Sequence, residues 1–351
     1  MARLKGEVGE PAPKHRLHEL GLELSRWAQD TLGGLDGVMQ VITFLGNEEF
    51  FVFVFPVVLW SISRSLGIQL GLMLLLSSAL NGLLKLAFAT PRPLFLDPQV
   101  GVVTATSFGL PSGHAQDATA IWGLAAHELK HRWKVGWAYP AAIAVIALIS
   151  WSRLHLGVHF LEDVVVGILV GALLLIVYLW LRPRAKAWLV RRSKLGQIGV
   201  ALGVSLTIIA VGSFMKLALT DFRPPAAWIG ADAVLIEEAA GVAGSVDIAG
   251  ALFGLSAGLV LLAIPAGFTA DGRVWQRLAR YPIGLAGLAA IFLGLGAIVP
   301  GGEDPLALML RFLRYGLVGF WIGGVAPYLF VKLGLSSPSD DSEAPSVRGT
   351  F

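Results

Sequence analysis

The chain has 351 residues, of which 55% are hydrophobic and 15% charged, and its mean hydropathy is +0.71. Soluble domains carry about 25% charged residues, so this composition excludes an ordinary water-soluble globule and indicates an integral membrane protein. The high apolar content excludes a disordered chain, and the absence of Cys excludes a disulfide scaffold. The net charge of +3, from 27 basic and 24 acidic residues, points to no nucleic-acid partner.

An amphipathic stretch lies in the N-terminal segment, residues 1–34. Leu17, Leu20, Leu24 and Trp27 recur at helical spacing, and charged residues occupy the rest of the wheel. This pattern predicts a helix. In one interpretation the helix lies in the plane of the membrane interface. In the other it caps the protein or docks a partner, and the sequence leaves both interpretations open.

Apolar runs long enough to cross a bilayer follow along the chain. A spanning helix needs about 20 mostly apolar residues. The span 114–129 is a weaker candidate, because it contains Asp117 and other polar residues, which would have to face the interior of the bundle. We therefore predict an all-α, polytopic helical bundle of about nine spans: 50–63, 67–84, 114–129, 136–151, 164–181, 195–215, 248–270, 281–302 and 315–331.

The loops between these spans differ in charge. Residues 130–134, 182–194 and 273–280 are rich in Lys and Arg, and all three fall on one side of a nine-span bundle. Residues 221–247 and the acidic pair at 303–304 fall on the other side. Because basic loops tend to stay in the cytoplasm, we predict an external N-terminus and a cytoplasmic C-terminus.

Three polar clusters gather at span ends on the side opposite the basic loops, and hydropathy does not require them there. The first runs from Lys85 to Pro93, the second is Pro-Ser-Gly-His at 111–114, and the third runs from Ser152 to Asp163. Three such clusters on one predicted membrane face indicate a functional site.

These side chains suit phosphoryl chemistry. Lys85, Arg92 and Arg153 offer an ammonium and two planar guanidinium groups to phosphate oxygens. Ser112 and Gly113 add a hydroxyl and backbone N–H groups at the start of a helix. Such a cradle balances the charge of a pentacoordinate phosphorus, so we expect no metal and no cofactor.

Two histidines supply the reactive groups. His159 and Asp163 are four residues apart, so the carboxylate can accept a hydrogen bond from one imidazole nitrogen and leave the other free to attack. His114 lies on another span at the same face and can protonate the leaving alkoxide. We therefore predict His159 as the nucleophile, Asp163 as the residue that orients it, and His114 as the acid and base.

The three clusters resemble the motifs of the type 2 phosphatidic acid phosphatase superfamily. That family shows Lys, six residues, Arg-Pro; then Pro-Ser-Gly-His; then Ser-Arg, five residues, His, three residues, Asp. Every position is matched, by Lys85, Arg92 and Pro93, by Pro111, Ser112, Gly113 and His114, and by Ser152, Arg153, His159 and Asp163. The resemblance covers about residues 35–182 and implies the same roles, with Lys85, Arg92, Ser112, Gly113 and Arg153 binding phosphate.

The resemblance implies a five-to-six-helix phosphatase core whose site lies at the extracytoplasmic membrane face. The expected reaction removes phosphate from a lipid phosphate of the phosphatidate, sphingosine phosphate or isoprenyl diphosphate class. The substrate would enter from the bilayer, here a bacterial inner membrane. A weaker similarity, in the run 107–112, is to the sphingosine-phosphate phosphatase branch, although that branch commonly has Thr where Gly113 stands. Two alternatives stay open, a phosphotransferase using a lipid diphosphate and a transporter or flippase that only binds the headgroup.

Beyond this core the motifs are incomplete. Lys216 and Arg223-Pro repeat the first spacing, without a second Pro-Ser-Gly-His or a second nucleophile. The echo is a degenerate duplication kept for packing or for a homodimer, an accessory headgroup subsite, or a coincidence. We expect an amphipathic segment 1–34, a phosphatase core 35–182, a basic cytoplasmic linker 183–195, a transmembrane extension 196–335 and a polar tail 336–351.

Overall fold

A computed structural model describes residues 13–298 and 300–336 of the chain. Within these residues the protein is built from α-helices and turns and contains no β-strand, so the predicted all-α class is confirmed. The polar tail lies outside the described residues except for its first position. The helices are α1 Pro13–Leu32, α2 Asp36–Phe44, α3 Glu48–Val57, α4 Arg64–Phe88, α5 Pro93–Leu96, α6 Gly113–Arg132, α7 Ala138–His155, α8 Leu161–Val190, α9 Lys194–Ala218, α10 Ala233–Ala239, α11 Ala243–Gly258, α12 Val274–Gly296, α13 Pro305–Phe320 and α14 Ala326–Lys332.

Six helical segments are long and apolar enough to cross a membrane: Arg64–Leu96, Leu161–Val190, Lys194–Ala218, Val234–Ala263, Val274–Gly296 and Pro305–Lys332. The remaining three predicted spans correspond to the shorter apolar helix Phe50–Ile62 and to α6 and α7. Length and composition thus assign six spans, and the count of nine stays a prediction. The chain is an integral membrane protein on either count.

Within the predicted core, 35–182, the long helices are α4, α6, α7 and α8. Helix α6 lies at its centre and packs on the other three. Gly167 and Gly171 of α8 lie directly against the backbone of α6, where an added Cβ at Gly171 would come within 2.4 Å of the Gln116 carbonyl oxygen. This close approach brings the first turns of α6 and α8 together at one end of the bundle.

The extension is packed around α11 and α13, which cross at very short distance. A Cβ at Gly254 would lie 1.8 Å from the carbonyl oxygen of Gly316, and one at Gly319 would lie 2.3 Å from that of Ala251. Small residues that let helix backbones approach are a common basis of association in membranes. Here the small-residue faces are used within one chain.

Core and extension share buried side chains. Trp60 follows α3, is fully buried and donates a hydrogen bond of 3.0 Å to the carbonyl of Ile322. Arg280 of α12 is also fully buried and donates to the carbonyl of Trp60 at 2.7 Å. The two halves of the chain are therefore held together by packing and by buried hydrogen bonds.

Helix α1 lies against the core with one face and leaves an apolar face exposed. Gly21 and Ala28 are buried, whereas Leu17, Leu20 and Trp27 are each more than half exposed. The predicted amphipathic helix is present. Its contacts agree with the capping interpretation, and its exposed apolar residues leave the interfacial one open.

The basic residues and the polar clusters lie at opposite ends of the core helices. Lys85 ends α4, whereas Lys130 and Arg132 lie at the far end of α6. The basic segment 183–195 is helical as far as Val190, because α8 continues through Pro183. Only residues 191–193 form the turn to α9.

The contact between α11 and α13 can be tested by adding a side chain. Gly254→Val should lower the free energy of unfolding by about 1–3 kcal/mol or more, because the new Cβ overlaps a backbone oxygen that cannot move aside. Thermal unfolding in detergent measures the effect. Gly199→Val on α9 is the control, since nothing lies within 4 Å of a Cβ there; equal losses in both variants would contradict the close crossing.

Candidate active site

The predicted nucleophile lies in the turn between α7 and α8. The Nδ1 atom of His159 is 3.2 Å from Oδ2 of Asp163, and the backbone N–H of Phe160 donates to the same oxygen at 3.0 Å. His159 and Asp163 are each 2% exposed. The predicted four-residue pairing is therefore present, with the carboxylate fixed from two directions.

Arg92 reaches the other side of the same imidazole. Its guanidinium Nη1 lies 3.0 Å from Nε2 of His159. A guanidinium can only donate, so Nε2 accepts, and the proton of a neutral ring is on Nδ1, facing Asp163. Burial lowers the pKa of His159 well below its usual value, and the positive charges of Arg92, Arg153 and Lys85 lower it further. Both effects favour a neutral ring with an Nε2 lone pair.

Ser107 and the backbone carbonyl of Val158 hold Arg92 in place. Arg92 donates to the carbonyl of Val158 at 2.9 Å, to the carbonyl of Ser107, and to the Ser107 hydroxyl at 2.8 Å. The ammonium of Lys85 donates to that same hydroxyl at 2.8 Å. Ser107 therefore joins two of the predicted phosphate-binding cations.

Arg153 comes from the last turn of α7 and is 6% exposed. Its Nη1 donates to the hydroxyl of Thr43 at 2.5 Å, while its Nε is a buried donor without a protein partner among the described residues. Arg153 acts on the pKa of His159, so the two groups lie within electrostatic range. One face of this guanidinium is thus available to a bound anion.

The start of α6 supplies the remaining predicted groups. Ser112 is the residue before the helix, it is fully buried, and its hydroxyl has no partner among the described residues. Its backbone N–H donates to the carbonyl of Asp163 at 2.9 Å. A Cβ at Gly113 would lie 3.0 Å from Oδ1 of Asn81, so the glycine lets the helix start close to α4.

His114 faces the turn between α2 and α3. Its Nε2 lies 2.6 Å from Oδ1 of Asn47, and a Cβ at Gly46 would lie 3.3 Å from its ring. Since an amide oxygen accepts, this contact assigns the Nε2 proton to His114 and leaves Nδ1 for proton transfer. His114 also acts electrostatically on His159. The structure therefore brings the three sequence clusters together at one end of the core.

The accessory cations are not brought into this cluster by their contacts. Lys216 is paired with Glu303 within the extension, and Arg223 is exposed in the loop that follows α9. Asp247, which opens the next span, is paired with Arg311. The accessory-subsite interpretation stays a prediction.

Several residues of the site carry no sequence pattern and were not predicted. Ser107, Thr43 and Asn47 contact Lys85, Arg153 and His114 as described above, and each comes from a segment outside the three clusters. Asn81 lies one turn before Lys85 and donates to the carbonyl of Pro111 at 3.2 Å. Only Asn81 had a usable signal, because a polar side chain one helical turn from Lys85 shares its face of α4.

Two regions outside the core pack on the segments that carry the site. His18 of α1 stacks on Phe160 with ring centroids 4.7 Å apart. On the other side, Trp228 contacts Phe95, and the backbone N–H of Gly230 donates to the Phe95 carbonyl at 2.9 Å. The irregular segments around His159 and Ser107 are thus held by α1 and by the loop of the extension.

Comparison with known proteins gives two family matches. The family described as "PAP2 superfamily" matches residues 66–187, and "PAP2 superfamily phosphatase, transmembrane extension" matches residues 246–338. The first contains every predicted catalytic and phosphate-binding residue. The second starts inside the predicted extension, 196–335, and ends three residues beyond it, at residue 338.

Curated relatives cover parts of the chain. Lipid phosphate phosphatase delta of Arabidopsis thaliana is 24% identical over 50% of this chain and 45% of its own length. Sphingosine-1-phosphate phosphatase 1 of Mus musculus is 31% identical over 39% of this chain and 32% of its own length. The alignments with these two relatives thus cover less than half of their lengths.

A bacterial relative is covered more fully. Phosphatidylglycerophosphatase B of Bacillus subtilis is 32% identical over 40% of this chain and 71% of its own length. The match extends over most of that smaller protein. With the two family matches and the paired His159 and Asp163, it shows that the chain belongs to the PAP2 superfamily.

Proposed function

We propose that this protein removes phosphate from a lipid phosphate through a phosphohistidine intermediate. The observation that carries the proposal is the placement of His159 between Asp163 on Nδ1 and Arg92 at Nε2. This geometry directs a nucleophilic lone pair towards a cation that binds phosphate oxygens. The names of the relatives, which are phosphatases of different lipid phosphates, support the reaction class.

In the first step Nε2 of His159 attacks phosphorus, a P–N bond forms, and the ester P–O bond breaks. His114, protonated on Nδ1 as well as on Nε2 once the anionic substrate is bound, gives the Nδ1 proton to the leaving alkoxide. Lys85, Arg92 and Arg153 bind the three equatorial oxygens, together with the Ser112 hydroxyl. Asp163 stabilises the charge that develops on the ring of the nucleophile, as the carboxylate does in hydrolase triads.

In the second step His114 takes a proton from water, which attacks the phosphorus and releases inorganic phosphate from His159. The three side-chain cations supply the charge that the transferred group requires, so the proposed steps assign no role to a metal ion or a cofactor. The lipid reaches the site laterally, with its tail in the bilayer. We place the site on the extracytoplasmic face of a bacterial inner membrane, because the basic ends of α6 and α8 lie opposite to it.

Removal of the nucleophile tests the reaction. His159→Ala should lower kcat/KM for lipid phosphates by about 10³-fold or more, because the covalent path is lost. The loss is measured as the rate at which inorganic phosphate is released from phosphatidate, sphingosine 1-phosphate and an isoprenyl diphosphate. His131→Ala, at an exposed histidine, is the control. Full activity of the His159 variant would overturn the mechanism, and phosphorylated lipid in place of free phosphate would favour a phosphotransferase.

The covalent intermediate can be trapped. Rapid quenching of the enzyme with a ³²P-labelled lipid phosphate should leave label on the protein that is stable in alkali and labile in acid, as expected for a phosphoramidate. Asp163→Asn should reduce the rate of labelling about 10²-fold or more, because the ring loses the carboxylate that fixes its tautomer. An unlabelled wild-type protein that still turns over substrate would argue for direct attack by water.

The bridging hydroxyl of Ser107 has a separate expected effect. Ser107→Ala removes the shared partner of Lys85 and Arg92, and hydrogen bonds to charged groups contribute about 1.5–3 kcal/mol. We expect kcat/KM to fall about tenfold or more and vanadate inhibition to weaken in parallel. Ser193→Ala, at the exposed N-cap of α9, should leave both unchanged. Unaltered kinetics of the Ser107 variant would show that the bridge does not order the cations.

A further inference from the structure

Asp117 is a buried acid that the proposed reaction does not use. It lies on α6 one turn after His114 and is 4% exposed. One carboxylate oxygen, Oδ1, is buried and has no hydrogen-bond partner among the described residues, although the side chain is hydrogen bonded with Ser77. A buried acceptor without a hydrogen-bond donor lowers the stability of the fold, so we expect a bound ligand to donate to this oxygen.

The surroundings of Asp117 are those of the phosphate site. It interacts electrostatically with Lys85 and with Glu48. In its ionised form Asp117 repels a phosphate group and so opposes the binding of a purely anionic headgroup. The opposition disappears if the ligand carries a positive charge next to its phosphate, because the acid then attracts that charge.

An apolar groove follows Asp117 along α6. It lies between α3, α4 and α6, and its lining includes Phe50, Phe51, Leu74, Ile121 and Trp122. With a rise of 1.5 Å per residue, Asp117 lies about 4.5 Å below His114 along the axis, and Ile121 about 6 Å further. Phosphate-binding groups, a carboxylate and a hydrocarbon groove therefore follow one another in that order.

We infer that Asp117 is the subsite for an ammonium group, and that the preferred substrate is an amine-bearing lipid phosphate of the sphingoid-base type. In such a lipid the amine stands two carbons from the phosphate ester oxygen, and the apolar chain continues from there. Phosphatidate has ester groups at the corresponding position and no cation. The inference rests on the proposed function and makes Asp117 a specificity-determining residue.

The test compares lipids that differ in the charge of this one group. Sphingosine 1-phosphate is assayed against its N-acetyl derivative and against octadecyl phosphate, which lacks the amine and the bulk of the acetyl group. The wild-type protein should show kcat/KM at least about tenfold higher for the amine than for either neutral lipid. Asp117→Asn should reduce this ratio to about threefold or less. Thr119→Val is the matched control, because that buried hydroxyl bonds to its own helix at Ala115.

The outcomes either support the ammonium subsite at Asp117 or overturn it. A wild-type protein that hydrolyses the charged and neutral lipids equally well overturns the inference, and so does an Asp117→Asn variant that keeps the full preference. If the Asp117→Asn variant does not fold, the wild-type ratio of charged to neutral lipids alone decides the test. If no lipid phosphate is hydrolysed, the proposed function fails, and the subsite is then tested by binding: sphingosine 1-phosphate should raise the Tm of the wild-type protein more than octadecyl phosphate does.

Discussion

The guanidinium of Arg92 joins the parts of the site that are far apart in the chain. It donates to Ser107 through a carbonyl and a hydroxyl, to the Val158 carbonyl and to the ring of His159. Burying a cation costs several kcal/mol unless its donors are satisfied, and Arg92 is only 3% exposed. The segments before α6 and before α8 must therefore meet around this one side chain.

That meeting is possible only where the backbones come close together. A Cβ at Gly109 would lie 2.3 Å from the carbonyl oxygen of Pro91 and 3.1 Å from Oδ2 of Asp163. The N–H of Ser112 then reaches the carbonyl of Asp163, which ties the start of α6 to the start of α8. A helix start directed at the anion site adds its own N–H groups. The same short segments thus provide the close packing and the proposed anion site.

The sequence predicts those parts of the site that follow from spacing within one element. The four-residue interval of His159 and Asp163 is of this kind, and so is the placement of Lys85 at the end of a span. Ser107 and Thr43 could not be predicted, because their contacts depend on how distant segments pack. Helix α6 was a weak span by hydropathy for a related reason. Its buried polar residues Asp117 and Glu128 have partners on other helices, Ser77 of α4 and Arg182 of α8, which the local sequence does not show.

The extension supports the segments that carry the site. Its loop 219–242 packs through Trp228 on the segment that precedes Ser107. Both ends of this loop are anchored at Glu303, which accepts from Lys216 at the end of α9 and from the backbone N–H of Ala243 at the start of α11. The lysine that echoes Lys85 is thus paired with the acid that fixes this loop, and this pairing favours the packing interpretation of the repeat. A bundle with an irregular active-site segment needs such support, because backbone outside helices has no internal hydrogen-bond ladder to hold it in place.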